Sequence, residues 1–399
     1  MKGRTDMLIA LHLLQNHAPS NLNRDDNNEP KDALFGGVRR ARISSQAIKR
    51  SIRWSPHFRN PFTEANLGHL LATRTQLLPE EVRKRLATQE QLSDKEKQAI
   101  VEAAARLGKG EQSSSGDDES SDKKRGRGKG KDNTASSEGR LKTAQLMFLT
   151  TEDIDRLTNR LIEIVRAKGV NDLQELQGDK LVEEIGHYEP HSVDIAMFGR
   201  MTTSSPFKDV DAAVQVAHAI STHGVETEFD FYTAVDDISG EAGAGFIGDT
   251  TFNSATYYKY FSIDWEGLVK NLNEDKKIAA MAVHALIKAA MFAIPSGKQN
   301  SFAAHNLPDV AIVEVRSDKV ALSYANAFVK PVRATPEMSL LEASAKALQD
   351  YIPRINGVYG LKAERAFCST LPTFTLDGAT HCANLDALLK WLAEQGVQP

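Results

Sequence analysis

The chain has 399 residues, a formal net charge of −4, and 41% hydrophobic and 26% charged residues. A slightly acidic total excludes a protein that is cationic all over, so any polyanion site must be local. No apolar run approaches the roughly 20 residues of a membrane span, and the N-terminus lacks the charged leader and apolar block of an exported chain; a cytoplasmic protein is the expectation.

From Met7 to Gln15, MLIALHLLQ reads as a buried strand. The polar stretch that follows, NHAPSNLNRDDNNEPKDALFGG, reads as a long loop carrying Arg24 and Lys31. From about Pro61 to Tyr188 helical signals dominate. Ser93 and Glu96 have capping-box spacing, and Ile154, Leu157, Leu161, Ile164 and Val165 share one face of a helix over 153–166. An insert from Gly108 to Arg140 has no aromatic, Leu, Ile or Val, which predicts disorder. Its acids come first and its cations, Lys123 to Lys131, follow; we read it as a solvated loop, with a basic arm that touches nucleic acid as the alternative.

Beyond Tyr188, HSVDIAMFGRMTTSSP reads as a strand with a loop, and DAAVQVAHAISTHG as a helix closed by Gly224. In VETEFDFYTAVDDI, Phe229, Phe231, Thr233 and Val235 alternate, which predicts an exposed hairpin. TFNSATYYKYFSID is a strand, MAVHALIKAAMFAIP a helix stopped by Pro295, DVAIVEVRSDKVAL a strand, and LLEASAKALQDYIPRI and LDALLKWLAEQG are helices. The order implies an α+β sheet domain with inserted lobes, for which the split βαβ, ferredoxin-like plan is the candidate. Cys368 and Cys382 form no CxxC pair and are read as reduced thiols. His381 beside Cys382 lacks a second ligand pair for zinc, and no metal or cofactor is expected.

The stretch LFGGVRRARISSQAIKRSIRWS, Leu34 to Ser55, is out of step with the acidic total. Ser44 or Ser45 can cap a helix. At about 100° per residue, Gln46, Lys49, Arg50 and Arg53 fall on one stripe and Ile48 and Ile52 on the opposite face. Between Val38 and Arg53 there are cations and no acid. Like charges at i,i+4 repel, so the stripe is cheap to keep only beside a polyanion. The helix N-terminus favours a phosphate near Ser44 and Ser45, and Gly36 and Gly37 permit close backbone approach.

SNLNRDD, PKDALFGGVRRARISSQAIKRSIR, DIAMFGRM, AHAISTHGVETEFDFYTAVDD and GLVKNL through KQNSFAAHN, in that order, resemble the CasC family, the repeated backbone subunit of the type I-E CRISPR Cascade complex. The resemblance implies a palm related to the RNA-recognition fold (1–58, 190–224 and 257–399), helical fingers (59–189, carrying the insert) and a β-hairpin thumb (225–256). It also implies a non-enzymatic subunit that polymerises with further copies of itself along a CRISPR guide RNA. Such a subunit grips the backbone and leaves the bases free to pair with target DNA, beside the large, small, guide-capping and guide-processing subunits. The RNA-binding residues it implies are Arg24, Lys31, Ser44, Gln46, Lys49, Arg50 and Arg53, with Met201 of the GRM motif wedging between bases; Lys298, in the loop after Pro295 and Gly297, reads from the sequence itself either as a phosphate contact at the end of a helix or as a plain turn. Phe231, Tyr232, Thr233, Ala234 and Val235 form the base-displacing thumb tip, with Phe231 where the family pattern has Trp.

The rival reading is a guide-directed ribonuclease using an aspartate among Asp25, Asp26, Asp32, Asp236 and Asp237. The GxGxxG of Gly243, Gly245 and Gly248 is followed by TTFNSATYYKY, which is not a helix, so a dinucleotide site is discounted. His218 and His223 lie five apart, off the spacing of a shared helical face.

Overall fold

The computed structural model describes residues 7–107, 141–143, 145–187, 192–201, 206–235, 237–238 and 242–399. The insert from Gly108 to Arg140 and Asp236 lie outside them. The chain opens with strand β1 (Leu8–Ser20), the hairpin β2 (Asp32–Phe35) and β3 (Val38–Ile43), and helices α1 (Ser45–Trp54) and α2 (Pro56–Glu64). There follow β4 (Thr73–Thr75), α3 (Leu78–Leu86), α4 (Asp94–Arg106), β5 (Met147–Leu149), α5 (Thr151–Lys168), α6 (Val170–Glu175), α7 (Gly178–Ile185) and α8 (Val193–Phe198). Next come β6 (Val214–Val216), β7 (Ala219–Ser221), β8 (Glu228–Val235) and β9 (Ala242–Asp264), then α9 (Trp265–Asn271), α10 (Lys276–Phe292) and α11 (Gln299–Phe302). The chain ends with β10 (Val310–Arg316), α12 (Leu340–Tyr359), β11 (Glu364–Ser369), β12 (Thr380–His381) and α13 (Leu385–Glu394).

Two compact units divide these elements: Met1–Gly68 with Ala212–Pro399, and His69–Asp211. The first is built on one sheet. Its heart is the order β10-β1-β9-β7, with every neighbouring pair antiparallel. β1 reaches β7 through α1 and α2, β7 turns back into β9, and β9 reaches β10 through α9 and α10. That is the strand order and direction of the ferredoxin-like plan. β11 and β12 extend the sheet beyond β10, β3 and β2 extend it beyond β7, and β6 and β8 also pair with β9.

β10 is buried along its whole length, as is nearly all of β1, because the sheet is covered on both faces and its centre therefore reads as a continuous apolar run. On the α12 side Leu14, Tyr258, Ile312, Leu348, Ile352 and Phe367 pack together. α10 is buried on several sides through its alanines, Val283, Leu286 and Ile287, and no helix among the described residues is long and apolar enough to cross a membrane.

The second unit, His69–Asp211, has its own core, in which Leu78, Val82, Ile100, Leu157 and Leu161 meet. Capping boxes start two of its helices, Ser93 with Glu96 and Thr150 with Asp153. The division leaves α2 with the sheet, whereas the sequence reading began the helical lobe at residue 59.

Three sequence expectations are corrected. DAAVQVAHAISTHG is not a helix: Val214 and Val216 pair with Ile263 and Phe261, and Ile220 and Ser221 with Tyr258 and Tyr257. Its alanines fit either period, and pairing with the 23-residue β9 decided the outcome. DIAMF is not a strand but α8, because Ser192 accepts a hydrogen bond from the Ile195 N–H and Gly199, at φ 79°, ends the turn. β1 does not stop at Gln15; β9 offers it partners as far as Ser20↔Asn253.

Candidate nucleic-acid interface

α1 is the helix its spacing predicted. Ser44 caps it, accepting from the Ala47 N–H at 3.3 Å, and Ile48 and Ile52 are its buried residues. Gln46 and Arg50 are exposed, Lys49 and Arg53 half-buried. Burial lowers the Lys49 pKa, as expected for an ammonium whose stem lies against apolar surface.

The loop before it is held in place by two asparagines that the sequence reading passed over. Asn23 Oδ1 accepts from the Ser44 N–H at 2.8 Å, and the Asn23 carbonyl accepts from the Lys31 N–H. Asn21 donates to the carbonyls of Asn28 and Thr251, tying the same loop to β9. Arg24 is exposed, its guanidinium donating to Asn28 at 3.3 Å. Lys31 is half-buried, and its carbonyl accepts from the Arg42 N–H. The NLN spacing was the available signal: short amides that recur in loops bond backbone.

Other cations of the stretch have work inside the protein. Arg40 is fully buried and donates to the carbonyls of Ser221, Phe328 and Val329. Arg39 pairs with Asp32, and Arg42 donates to the Asp32 carbonyl at 3.0 Å. Gly36 and Gly37, at φ 60° and 76°, make the tight turn of the β2–β3 hairpin. A Cβ on Gly36 would stand 2.1 Å from the Val329 carbonyl oxygen, so the close approach this glycine permits is to the protein's own chain.

The α1 N-terminus is partly satisfied as well. The Ser45 N–H donates to His218 Nδ1 at 2.9 Å, so the expected phosphate cradle has fewer open donors. His218 lies in the connection between β6 and β7, outside any helix. Its pKa is lowered by burial and then by the charges of Arg42 and Lys31, which together mark a positive field at this end of the helix. His223 is fixed by Thr256 and Gly224.

Lys298 sits at φ 47° and donates to Thr250 Oγ1 at 3.0 Å. Thr250 is opposite Asp230 in the β8–β9 ladder, so Lys298 is joined to the base of that arm. Gly297 packs on the backbone of Asn21 and Leu22. The Arg24–Lys31 loop, α1, the Lys298 turn and the root of β8–β9 are therefore one connected group. Along β8, Phe229, Phe231 and Val235 are 69%, 66% and 57% exposed, and Tyr232 is 44% exposed. Thr233 is also exposed, and Phe231 and Tyr232 stand opposite Asp249 and Gly248. Exposed aromatics grouped on a two-stranded arm make it a candidate contact surface. Gly243, Gly245 and Gly248 belong to β9 and open no helix.

Met201 belongs to the other unit, where it is 87% exposed. The buried guanidinium of Arg200 beside it donates to the carbonyls of Phe148 and Lys208 and lies 5.5 Å from the Phe207 ring centroid. Gly199 and Arg200 thus anchor the motif and leave the thioether outside. Of the aspartates, Asp25 accepts from the Asn27 and Glu29 N–H groups and Asp32 faces Arg39; both have loop-building partners. Cys368 and Cys382 are both free thiols.

The family described as CT1975-like protein matches residues 9–391. No curated protein matches. Among solved structures, a chain of a "CRISPR RNA-guided surveillance complex, pre-nicking" superposes with a TM-score of 0.77 at 29% identity, over 97% of this chain and 99% of that one. A chain of a "CRISPR RNA-guided surveillance complex" superposes with a TM-score of 0.68 at 23% identity, over 96% and 99%.

Proposed function

Because the chain belongs to the CT1975-like Cas family, we propose that it is a subunit of an RNA-guided CRISPR surveillance complex, and within it the repeated backbone subunit of a type I-E Cascade. In this reading, copies polymerise along the guide RNA in the cytoplasm and present it to target DNA beside the other Cascade subunits. The observation that carries it is the acid-free stripe of Gln46, Lys49, Arg50 and Arg53 on α1, connected to the Arg24–Lys31 loop and the Lys298 turn. Such a surface suits a phosphate chain and carries no base-reading code. The exposed aromatics of β8 suit contact with bases or with a neighbouring copy.

The same reading makes the chain a binding subunit and not a nuclease. Asp25 and Asp32 are engaged in local structure, which favours a scaffold role for that loop. Metal-dependent cleavage of target RNA by the purified complex, abolished by Asp32→Ala, is the result that reverses this part.

Replacing Lys49, Arg50 and Arg53 together by Ala tests the rail. Affinity for single-stranded RNA should fall, and the slope of log K against log salt should flatten by about 2. An unchanged affinity and slope would remove the rail from the account.

A further inference from the structure

The stripe on α1 does not end at Arg53. Trp54 follows Arg50 by one helical turn on the same face, and it is 61% exposed. Arg59 lies 5.6 Å from its ring centroid. Beside it, His57 stacks on Phe292 with centroids 4.4 Å apart, and Phe292 is itself 39% exposed. α1 and α10 end side by side here, and between them and the Leu22 backbone a cleft of about 520 Å³ opens, lined also by Arg50, Ile294 and Pro295. No acid lines it.

An exposed Trp is costly in solvent, and this one lies next to a His–Phe stack, a proline and the guanidiniums of Arg50 and Arg59. The volume is within the roughly 300–1,000 Å³ of small-ligand sites. Flat aromatic walls without an acid suit a neutral planar ring, and Arg50 at the rim is shared with the phosphate-gripping stripe. The lining holds one guanidinium, Arg50, with His57, His305, Ser51, Ser55 and Ser296, but its flat contacts are the Trp54 ring and the His57–Phe292 stack, which a planar base fills and an inorganic phosphate does not. We propose that this cleft is a base-stacking subsite, which takes an unpaired nucleobase from the strand whose phosphates lie along Lys49, Arg50 and Arg53. The inference rests on the RNA-binding reading and adds to it a place where the strand is held by a base and not only by its backbone.

Two probes separate the contributions: a single-stranded oligoadenylate RNA, and an abasic ribose-phosphate oligomer of equal length, each titrated by fluorescence polarisation against the full chain. Trp54→Ala, and independently Phe292→Ala, should weaken oligoadenylate binding about tenfold and leave abasic binding unchanged. Both positions are exposed, and thermal melts establish that the variants fold. Lys49→Ala with Arg53→Ala should weaken both probes alike. If Trp54→Ala changes neither probe, or both equally, the subsite is overturned while the rail stands, and the cleft faces a protein segment instead. If the wild-type chain binds neither probe, the rail falls, and the subsite with it.

Discussion

Lys259 is buried in β9, where its ammonium donates to Gln15 Oε1, and burial lowers its pKa to about 8. His17, also buried, is pushed down to about 3 by burial and by the charge of Lys259. Both folded-state values lie below the unfolded ones, so in each window the unfolded chain binds the extra proton and stability rises with pH. His17 should therefore cost stability as pH falls from about 6.5 toward 3. The Lys259 penalty, on the order of 3 kcal/mol below pH 8, should be relieved between about pH 8 and 10.5. Urea midpoints across pH for Lys259→Met should show a more stable protein at pH 7, a gain that fades between about pH 8 and 10.5, and a smaller loss in acid, because the charge acting on His17 is gone. Equal midpoints at pH 7 would mean the ammonium is better solvated than its burial indicates. Neither residue stands out in the sequence, since a cation or imidazole inside an alternating run looks like a solvent-facing position. The α1 stripe was legible because its period is local. Arg40 was misread as part of a cationic surface because its partners, the carbonyls of Ser221, Phe328 and Val329, are remote in sequence.

At the scale of elements, local chemistry was legible at the caps Ser44 and Ser93, though not at Ser192, whose cap starts only a six-residue helix. It failed where a long-range partner chose between two periods. Val214–Val216 became a strand because β9 runs alongside it, and nothing in AAVQVAHAIS announces that neighbour. The clamps Asn21 and Asn23 were missed for the same reason, as their acceptors and donors lie partly on β9 and α1. The β2–β3 turn gives a sharp test. Gly36→Ala places a Cβ 2.1 Å from the Val329 carbonyl oxygen at φ 60°, whereas at Gly37 nothing lies within 4 Å. Gly37→Ala should cost about 1 kcal/mol, the penalty of a left-handed alanine. Gly36→Ala should cost at least twice that and lower the melting temperature further. Equal melting temperatures would mean that the hairpin moves away from Val329 without cost.

For the whole molecule, the ferredoxin-like heart β10-β1-β9-β7 was legible as a class from the alternation of elements. Its extension to β2 on one side and β12 on the other was not, because short edge strands carry little pattern. The sheet unit gathers α1, the Arg24–Lys31 loop, the Lys298 turn and the exposed β8–β9 arm, which together form a surface suited to both a phosphate chain and a second copy. The exposed aromatics at Phe229, Phe231 and Tyr232 suit either bases or a neighbouring copy, so it is the stoichiometry on RNA that separates a lone RNA binder from a repeated backbone. The most direct test of the backbone reading is the mass of complexes assembled on single-stranded RNAs of increasing length, measured by native mass spectrometry. The account predicts that the number of bound copies rises in regular steps with RNA length. A single small complex whose stoichiometry stays fixed as the RNA lengthens would contradict it.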